Sequence, residues 1–215
     1  MANLGHIIQE GGPIMMINIG VLIIAIAIIV DRTIAVFFQL HLDGPRFMNQ
    51  VEKLVVSNNI DKAVKLCNAA PKAALARVLR AGLTKANRGV LEIGNAIEEE
   101  TLAVTPQVMK RVPALWSIAN IAVLTGLLGT VVGLIRAFAS LGQAAPEQKS
   151  ELLATGISEA LNNTAFGLFI AIICIGAHLV LSSRAKKIVE EIELHSLKLE
   201  NMLARRAVAE LPEGR

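Results

Sequence analysis

Gly126-Leu-Leu-Gly-Thr-Val-Val-Gly133 lies inside a long apolar run, and Ser158-Glu-Ala-Leu-Asn-Asn-Thr-Ala-Phe-Gly167 stands at the mouth of another. Each sets one threonine among small residues, where bulky aliphatics would normally fill a lipid-facing helix. A membrane helix gains nothing from small or hydroxylated positions turned to lipid. It gains when a second helix, or a file of water, must pass close to its backbone. The two stretches therefore point to a membrane protein whose work is done along the surface between its second and third spans.

Hydrophobic residues make up 53% of the 215 positions, which is high for a soluble domain. Three apolar windows, 13–30, 114–135 and 160–181, reach spanning length, since about 20 apolar residues cross a hydrocarbon core of about 30 Å. The first is the shortest, but residues 34–40 can prolong its helix into the interface. A buried soluble helix would explain one such window and does not explain three. No strand pattern, internal repeat or low-complexity tract interrupts the helical periodicity. The fold class is all-α, an integral membrane protein with three transmembrane helices and long helices extending into the cytoplasm.

Charge sets the expected orientation. Residues 1–12 hold no Lys or Arg, residues 31–113 hold twelve against eight acids, the loop 140–158 holds only Lys149, and 183–215 hold seven. Arg32, Lys110, Arg111, Arg184, Lys186 and Lys187 all sit beside span ends, where the positive-inside bias acts. The chain then divides into an N-terminus outside the cytoplasm (1–12), a first span (13–38), a helical cytoplasmic loop (39–112), a second span (113–139), a short outer loop (140–158), a third span (159–183) and a cytoplasmic helical tail (184–215). The start lacks the basic region and small-residue cleavage site of a removed signal. Basic residues alternate with acids along the helical segments, which is a poor arrangement for nucleic acid. Cys67 falls in the loop and Cys174 in the third span; they cannot pair, and neither has metal-ligand company.

Within the loop, 47–56 and 60–70 form short amphipathic pieces broken at Asn58-Asn59, with Asp61 suited to the first turn of the second. Pro71 opens a helix over 72–86 with Leu75, Val78, Leu79 and Leu83 on one face, and Asn87-Arg88-Gly89 stops it. A further helix from about Val90 carries Ile93, Ile97, Leu102 and Val104 on its apolar face. Pro106 and Pro113 are expected to kink it as it becomes the second span. Glu98-Glu99-Glu100 is a solvated face. The tail repeats Ile188, Ile192, Leu199 and Leu203 at heptad-like spacing, a stripe for packing against the loop helices or neighbouring subunits. Residues 212–215 are a frayed end.

On the second span, Ala119, Ala122, Gly126, Thr130, Gly133 and Ala137 recur at three- and four-residue steps and share one face, with Gly129 and Gly133 as a GxxxG pair at its edge. The third span repeats the design with Ala160, Thr164, Gly167, Ala171, Cys174 and His178. The first span has no such stripe and reads as a plain lipid-facing brace. Close helix packing alone would select the same small faces; a crowded or hydrated axis would too. In an antiparallel hairpin with its loop centred near Gln148, Thr130 and Thr164 fall at similar height. A hydroxyl both donates and accepts, as a proton relay through water requires, although each could also bond the carbonyl four residues back.

No Asp, Glu, Lys or Arg lies deep in any span. Glu159 stands at the outer mouth of the third and Arg136 near the outer end of the second. A charge at the bilayer centre costs about 2.5–3.5 kcal/mol on insertion scales, so its presence would mark function. A proton pump needs a titratable group at mid-membrane, and this chain offers only His178, toward the cytoplasmic end. If protons move here, the acid comes from another subunit.

The pattern Ile-Ala-x-Leu-x-Gly-Leu-Leu-Gly-Thr-Val-x-Gly-x-Ile-x-Ala-Phe at 121–138, followed by Gly-Ile-Ser-Glu-Ala-Leu-x-x-Thr-Ala-x-Gly-Leu at 156–168, resembles the MotA/TolQ/ExbB proton-channel family. Three spans with one large loop are similar to its ExbB/TolQ branch. The resemblance implies a homopentameric ring in the bacterial inner membrane, around two single-span partners of the ExbD/TolR type whose membrane-embedded Asp supplies the missing acid. An enzyme is not expected, since the sequence shows no histidine cluster, nucleophile–base pair or phosphate loop, and no cofactor or metal is expected. Thr130 and Thr164 match the pore threonines and Glu159 the acid before the second of them. The small faces, including Ala119, Ala122, Gly126, Gly129, Gly133, Ala137, Ala160, Gly167 and Ala171, would line the pore or meet the partner helix. Two prolines usual in the family are replaced by Val123 and Ile173, which predicts straighter helices. A non-conducting membrane scaffold ring is the alternative reading of the same faces.

Overall fold

A computed structural model describes residues 12–142 and 145–209. The expected N-terminal segment, apart from Gly12, and the expected frayed end at 212–215 lie outside the described residues. Among the described residues seven α-helices follow in order: α1 (Gly12–Ile34), α2 (Gly44–Val56), α3 (Ile60–Asn68), α4 (Ala74–Thr84), α5 (Val90–Met109), α6 (Val112–Leu141) and α7 (Lys149–Ala209). A π-helical turn over Ala35–Gln39 prolongs α1. Among the described residues three helical stretches are long and apolar enough to cross a membrane. The helix of the third span begins at Lys149, inside the segment expected as the loop 140–158. Both α6 and α7 run uninterrupted through Val123 and Ile173, as the absence of proline at those sites allows.

Contacts divide the chain into two units, Met1–Asp31 with Arg111–Val180, and Arg32–Lys110 with Leu181–Arg215. The first unit is the membrane unit. Its core joins Ala25 of α1, Ala119 and Ala122 of α6, and Ile170, Ala171 and Cys174 of α7, with Val21, Leu22, Ile118, Val123 and Phe166 packed around them. Large aliphatics such as Ile24, Leu124, Leu128, Ile135, Leu168 and Ile172 remain exposed, the pattern of a bundle whose outer surface meets lipid or neighbouring chains. Arg111 and Asp31 form an ion pair at 3.2 Å at one end of this unit.

The first span is more than the lipid-facing brace its composition implies. Met15, Asn18 and Ala25 are buried, because a helix that turns lipid-facing Ile24 outward still presents its other side to α6 and α7. The second correction concerns the approach to α6. The prolines do not kink one long helix: α5 stops at Met109 and α6 starts at Val112, with Arg111 in the left-handed region at φ 60°. Pro113 falls in the first turn of α6, where its missing N–H has no intrahelical carbonyl to lose.

The second unit is a helical bundle with a conventional apolar core. Asp43 caps α2 by accepting from the Arg46 N–H at 3.3 Å, the usual use of an acid one residue ahead of a helix. Asn58 at φ 60° and Gly89 at φ 98° provide the turns that separate successive helices. Leu75, Val78, Leu79 and Leu83 of α4, Ile93, Ile97 and Val104 of α5, and Ile188, Ile192, Leu199 and Leu203 of α7 are all buried together with Phe47, Met48 and Val51 of α2. Leu102 departs from the expected stripe: it is 67% exposed, since it sits two residues before Val104 and so falls on a different side of the helix. Arg77 links α4 to α5 through Glu100 at 2.7 Å and Gln107 at 2.8 Å. Lys198 links α7 to Glu52 of α2 at 2.6 Å.

Candidate functional site

The small faces of α6 and α7 lie against each other within the membrane unit. Their closeness is read from what a methyl group would meet. A Cβ on Gly167 would stand 2.5 Å from the Ala122 carbonyl oxygen and 3.0 Å from Gly126 Cα. A Cβ on Gly126 would stand 3.0 Å from the Asn163 carbonyl oxygen and 3.2 Å from Gly167 Cα. Backbone meets backbone here, and only glycine at both positions permits it. Farther along, Gly129 faces Asn163 and Gly133 faces Ala160, whose Cβ would be 2.9 Å from an added methyl. Ala119, Ala122, Gly126, Gly129, Ala137, Ala160, Gly167 and Ala171 are buried in this contact, and Gly133 partly so.

Midway along this contact the structure brings Thr130 and Thr164 together. Their hydroxyls are hydrogen-bonded to one another. Each also lies within bonding distance of the Gly126 carbonyl, Thr130 Oγ1 at 3.3 Å and Thr164 Oγ1 at 3.1 Å. Two protons serve three contacts, so the chain of bonds has two orders. Thr130 donates to Thr164, which donates to the carbonyl, or the reverse. A hydroxyl pair that can reverse its direction without moving heavy atoms has the basic property of a relay element. Both threonines are only half-buried, so the pair stands at the edge of the packed face.

The other anticipated residues are not drawn into this pair. Glu159 is half-buried and its side chain makes no hydrogen bond or ion pair among the described residues; its backbone carbonyl accepts from Asn163 Nδ2 at 3.3 Å. His178 sits fourteen positions beyond Thr164, about 21 Å along the helix at 1.5 Å per residue. Its Nδ1 is 2.9 Å from the Val112 carbonyl at the start of α6, and its ring packs 6.1 Å from Trp116. The carbonyl can only accept, so Nδ1 carries the hydrogen of this bond. No group of His, Cys, Asp and Glu able to hold a metal occurs among the described residues.

A second polar layer was not anticipated. Asn18 of α1 is fully buried, and its Oδ1 accepts from the Thr125 hydroxyl of α6. Thr125 Oγ1 also lies 2.8 Å from the Ile121 carbonyl. Asn163, 2% exposed, stands beside Gly129, which also faces Ile14 of α1. Three helices thus meet around two asparagines and a threonine. The available signal was that Asn18 is the only polar side chain in the first apolar window, and a buried amide in a span usually faces another helix.

Comparison with known proteins agrees with these features. The model of the family described as the MotA/TolQ/ExbB proton channel family matches residues 70–194. The Synechocystis sp. protein named biopolymer transport protein ExbB-like 3 is 34% identical over 167 residues, covering 76% of this chain and 78% of its own. The Tol-Pal system protein TolQ of Haemophilus influenzae is 36% identical over 102 residues, 47% of this chain and 44% of its own.

Proposed function

This chain belongs to the MotA/TolQ/ExbB proton channel family, and from that premise we propose that it forms a pentameric ring around two single-span partners of the ExbD/TolR type, coupling proton flow to mechanical work. The chain itself is a non-enzymatic, three-span proton-channel subunit of the ExbB/TolQ kind. In the proposed machine the partner's membrane-embedded Asp supplies the acid that the three apolar windows lack. Its protonation removes a charge that costs about 2.5–3.5 kcal/mol at the bilayer centre, freeing the partner helix to move against the ring. Each proton crossing the membrane releases about 2.3 kcal/mol per 100 mV, comparable with that cost. The partner carries the work to an outer-envelope or motility target.

The supporting observation is the reversible Thr130–Thr164 hydroxyl pair, which would pass protons between water and the partner acid. Glu159 would gather protons at the periplasmic mouth, and His178 would stand at the cytoplasmic exit. The orientation puts 1–12 and 140–158 in the periplasm, and 39–112 and 184–215 in the cytoplasm of a bacterial inner membrane. Proton flux into proteoliposomes, measured with and without the partner, tests this. Flux that requires both components supports it; rings that remain proton-tight with the partner present refute it.

One observation favours the scaffold reading: the small faces are already occupied by packing between α6 and α7 of one chain. In that reading the hydroxyls merely tie the hairpin, and no flux occurs under any condition.

A further inference from the structure

In the second unit, the chain just beyond the first and third apolar windows encloses a cavity of about 120 Å³. Val36, Phe37 and Ile188 form its apolar wall; Arg184, Lys187 and His41 form its polar side. Arg184 is held with its guanidinium carbon 5.3 Å from the centre of the Phe37 ring, an arrangement that fixes the cation while leaving its N–H edge available. Neither Arg184 nor Lys187 makes an ion pair among the described residues. Glu191 also lines the cavity, but its Oε2 leans toward the start of α2, 3.2 Å from where a Gly44 Cβ would stand, beside His195. The lining therefore holds two cations against one carboxylate. They lie four and seven residues past Val180, the last residue of the membrane unit, at the level where an apolar span meets headgroups.

We propose that this cavity binds the phosphate of an anionic phospholipid headgroup. A phosphate needs paired cationic donors, and the Arg184 fork with the Lys187 ammonium provides them. The volume is about that of four waters at about 30 Å³ each, room for a phosphate group but not for acyl chains. A basic pocket at the end of membrane helices is the setting in which anionic headgroups are held. The site requires only a three-span membrane protein and is independent of proton flow.

The test is native mass spectrometry of the intact detergent-purified oligomer with phosphatidylglycerol, phosphatidylcholine or inorganic phosphate. Phosphatidylglycerol should be retained in preference to phosphatidylcholine. Retention should fall about thirty-fold in Arg184→Gln/Lys187→Gln, from about fivefold per cation. The charge-keeping pair Arg184→Lys/Lys187→Arg should restore most of it. Lys186→Gln, which removes a charge outside the cavity, should leave retention nearly unchanged. Intact oligomer mass in the same spectra separates loss of the site from loss of assembly, and Lys187→Gln alone serves if the double variant does not assemble. Equal retention of both lipids, an unaffected double variant, or an equal effect of Lys186→Gln would overturn the proposal. Inorganic phosphate retained in place of lipid would overturn it in favour of a soluble anion.

Discussion

The hydroxyls of Thr130 and Thr164 bond to each other from neighbouring helices, with the Gly126 carbonyl within reach of both. Replacing either by Val keeps the shape and removes one link of the chain. Thr130→Val and Thr164→Val are each expected to lower partner-dependent proton flux by at least about tenfold, about 1.4 kcal/mol on the barrier. Assembly of the purified protein should survive. Thr→Ser, which keeps the hydroxyl, should retain most of the flux. Normal flux in both Val variants would eliminate the relay.

Gly167→Ala tests the packing separately from the chemistry. Its new methyl would face the Ala122 carbonyl at 2.5 Å, and two backbones cannot yield as a flexible side chain can. A loss of about 1–3 kcal/mol is expected, as for other overpacked contacts, read as lower resistance of the purified protein to heat or detergent. Gly176→Ala, where nothing lies within 4 Å, should be tolerated. Equal tolerance of both would show that the α6–α7 approach is looser than described.

Asn18 and Thr125 should behave as a coupled pair. A double-mutant cycle of Asn18→Ala and Thr125→Ala is expected to return about 0.6 kcal/mol, with about 1.7 kcal/mol as a ceiling for bonds between membrane helices. Additive single losses would mean that the two side chains do not bond.

Two buried groups of the second unit give pH signatures. Burial lowers the His195 pKa below its ordinary value near 6.5, opposed by Glu191 and aided by Lys198. The folded state therefore disfavours the imidazolium, and stability present above about pH 6.5 is lost as pH falls through the ordinary and then the lowered value. His195→Gln should flatten the thermal-stability profile between pH 7 and 5, and a profile unchanged by the substitution would contradict this.

Burial pushes the Cys67 thiol up to about 11, with Arg80 pulling the other way. A raised thiol contributes stability at neutral pH that is lost as pH rises toward 11. At pH 8 its maleimide reaction should be about a hundred-fold slower in the folded protein than in denaturant, because the thiolate is the reactive form. Equal rates would place Cys67 at the surface.

Much of this fold is legible from periodicity. The stripes at Leu75, Val78, Leu79 and Leu83 and at Ile188, Ile192, Leu199 and Leu203 are buried throughout, because a helix with one apolar side has only one way to bury it. Thr130 and Thr164 could be set level by counting from the loop between them. Asn18 was invisible to the same counting: one amide makes no stripe, and its burial depends on how α1 meets α6. The interruption at Arg111 was also hidden, since proline near the junction predicts a bend equally well, and nothing in an arginine announces a left-handed turn. Leu102 shows the opposite failure, an apolar residue assigned inward from composition although its angular position carries it outside.

Cryo-electron microscopy of the complex with its single-span partner tests the central claim most directly. The proposal predicts five copies of this chain around two partner helices, with the partner's Asp able to reach the Thr130–Thr164 pair directly or through one water. A ring in which that pair stays sealed between α6 and α7, with no partner carboxylate near it, would contradict the proton-relay mechanism and leave the scaffold.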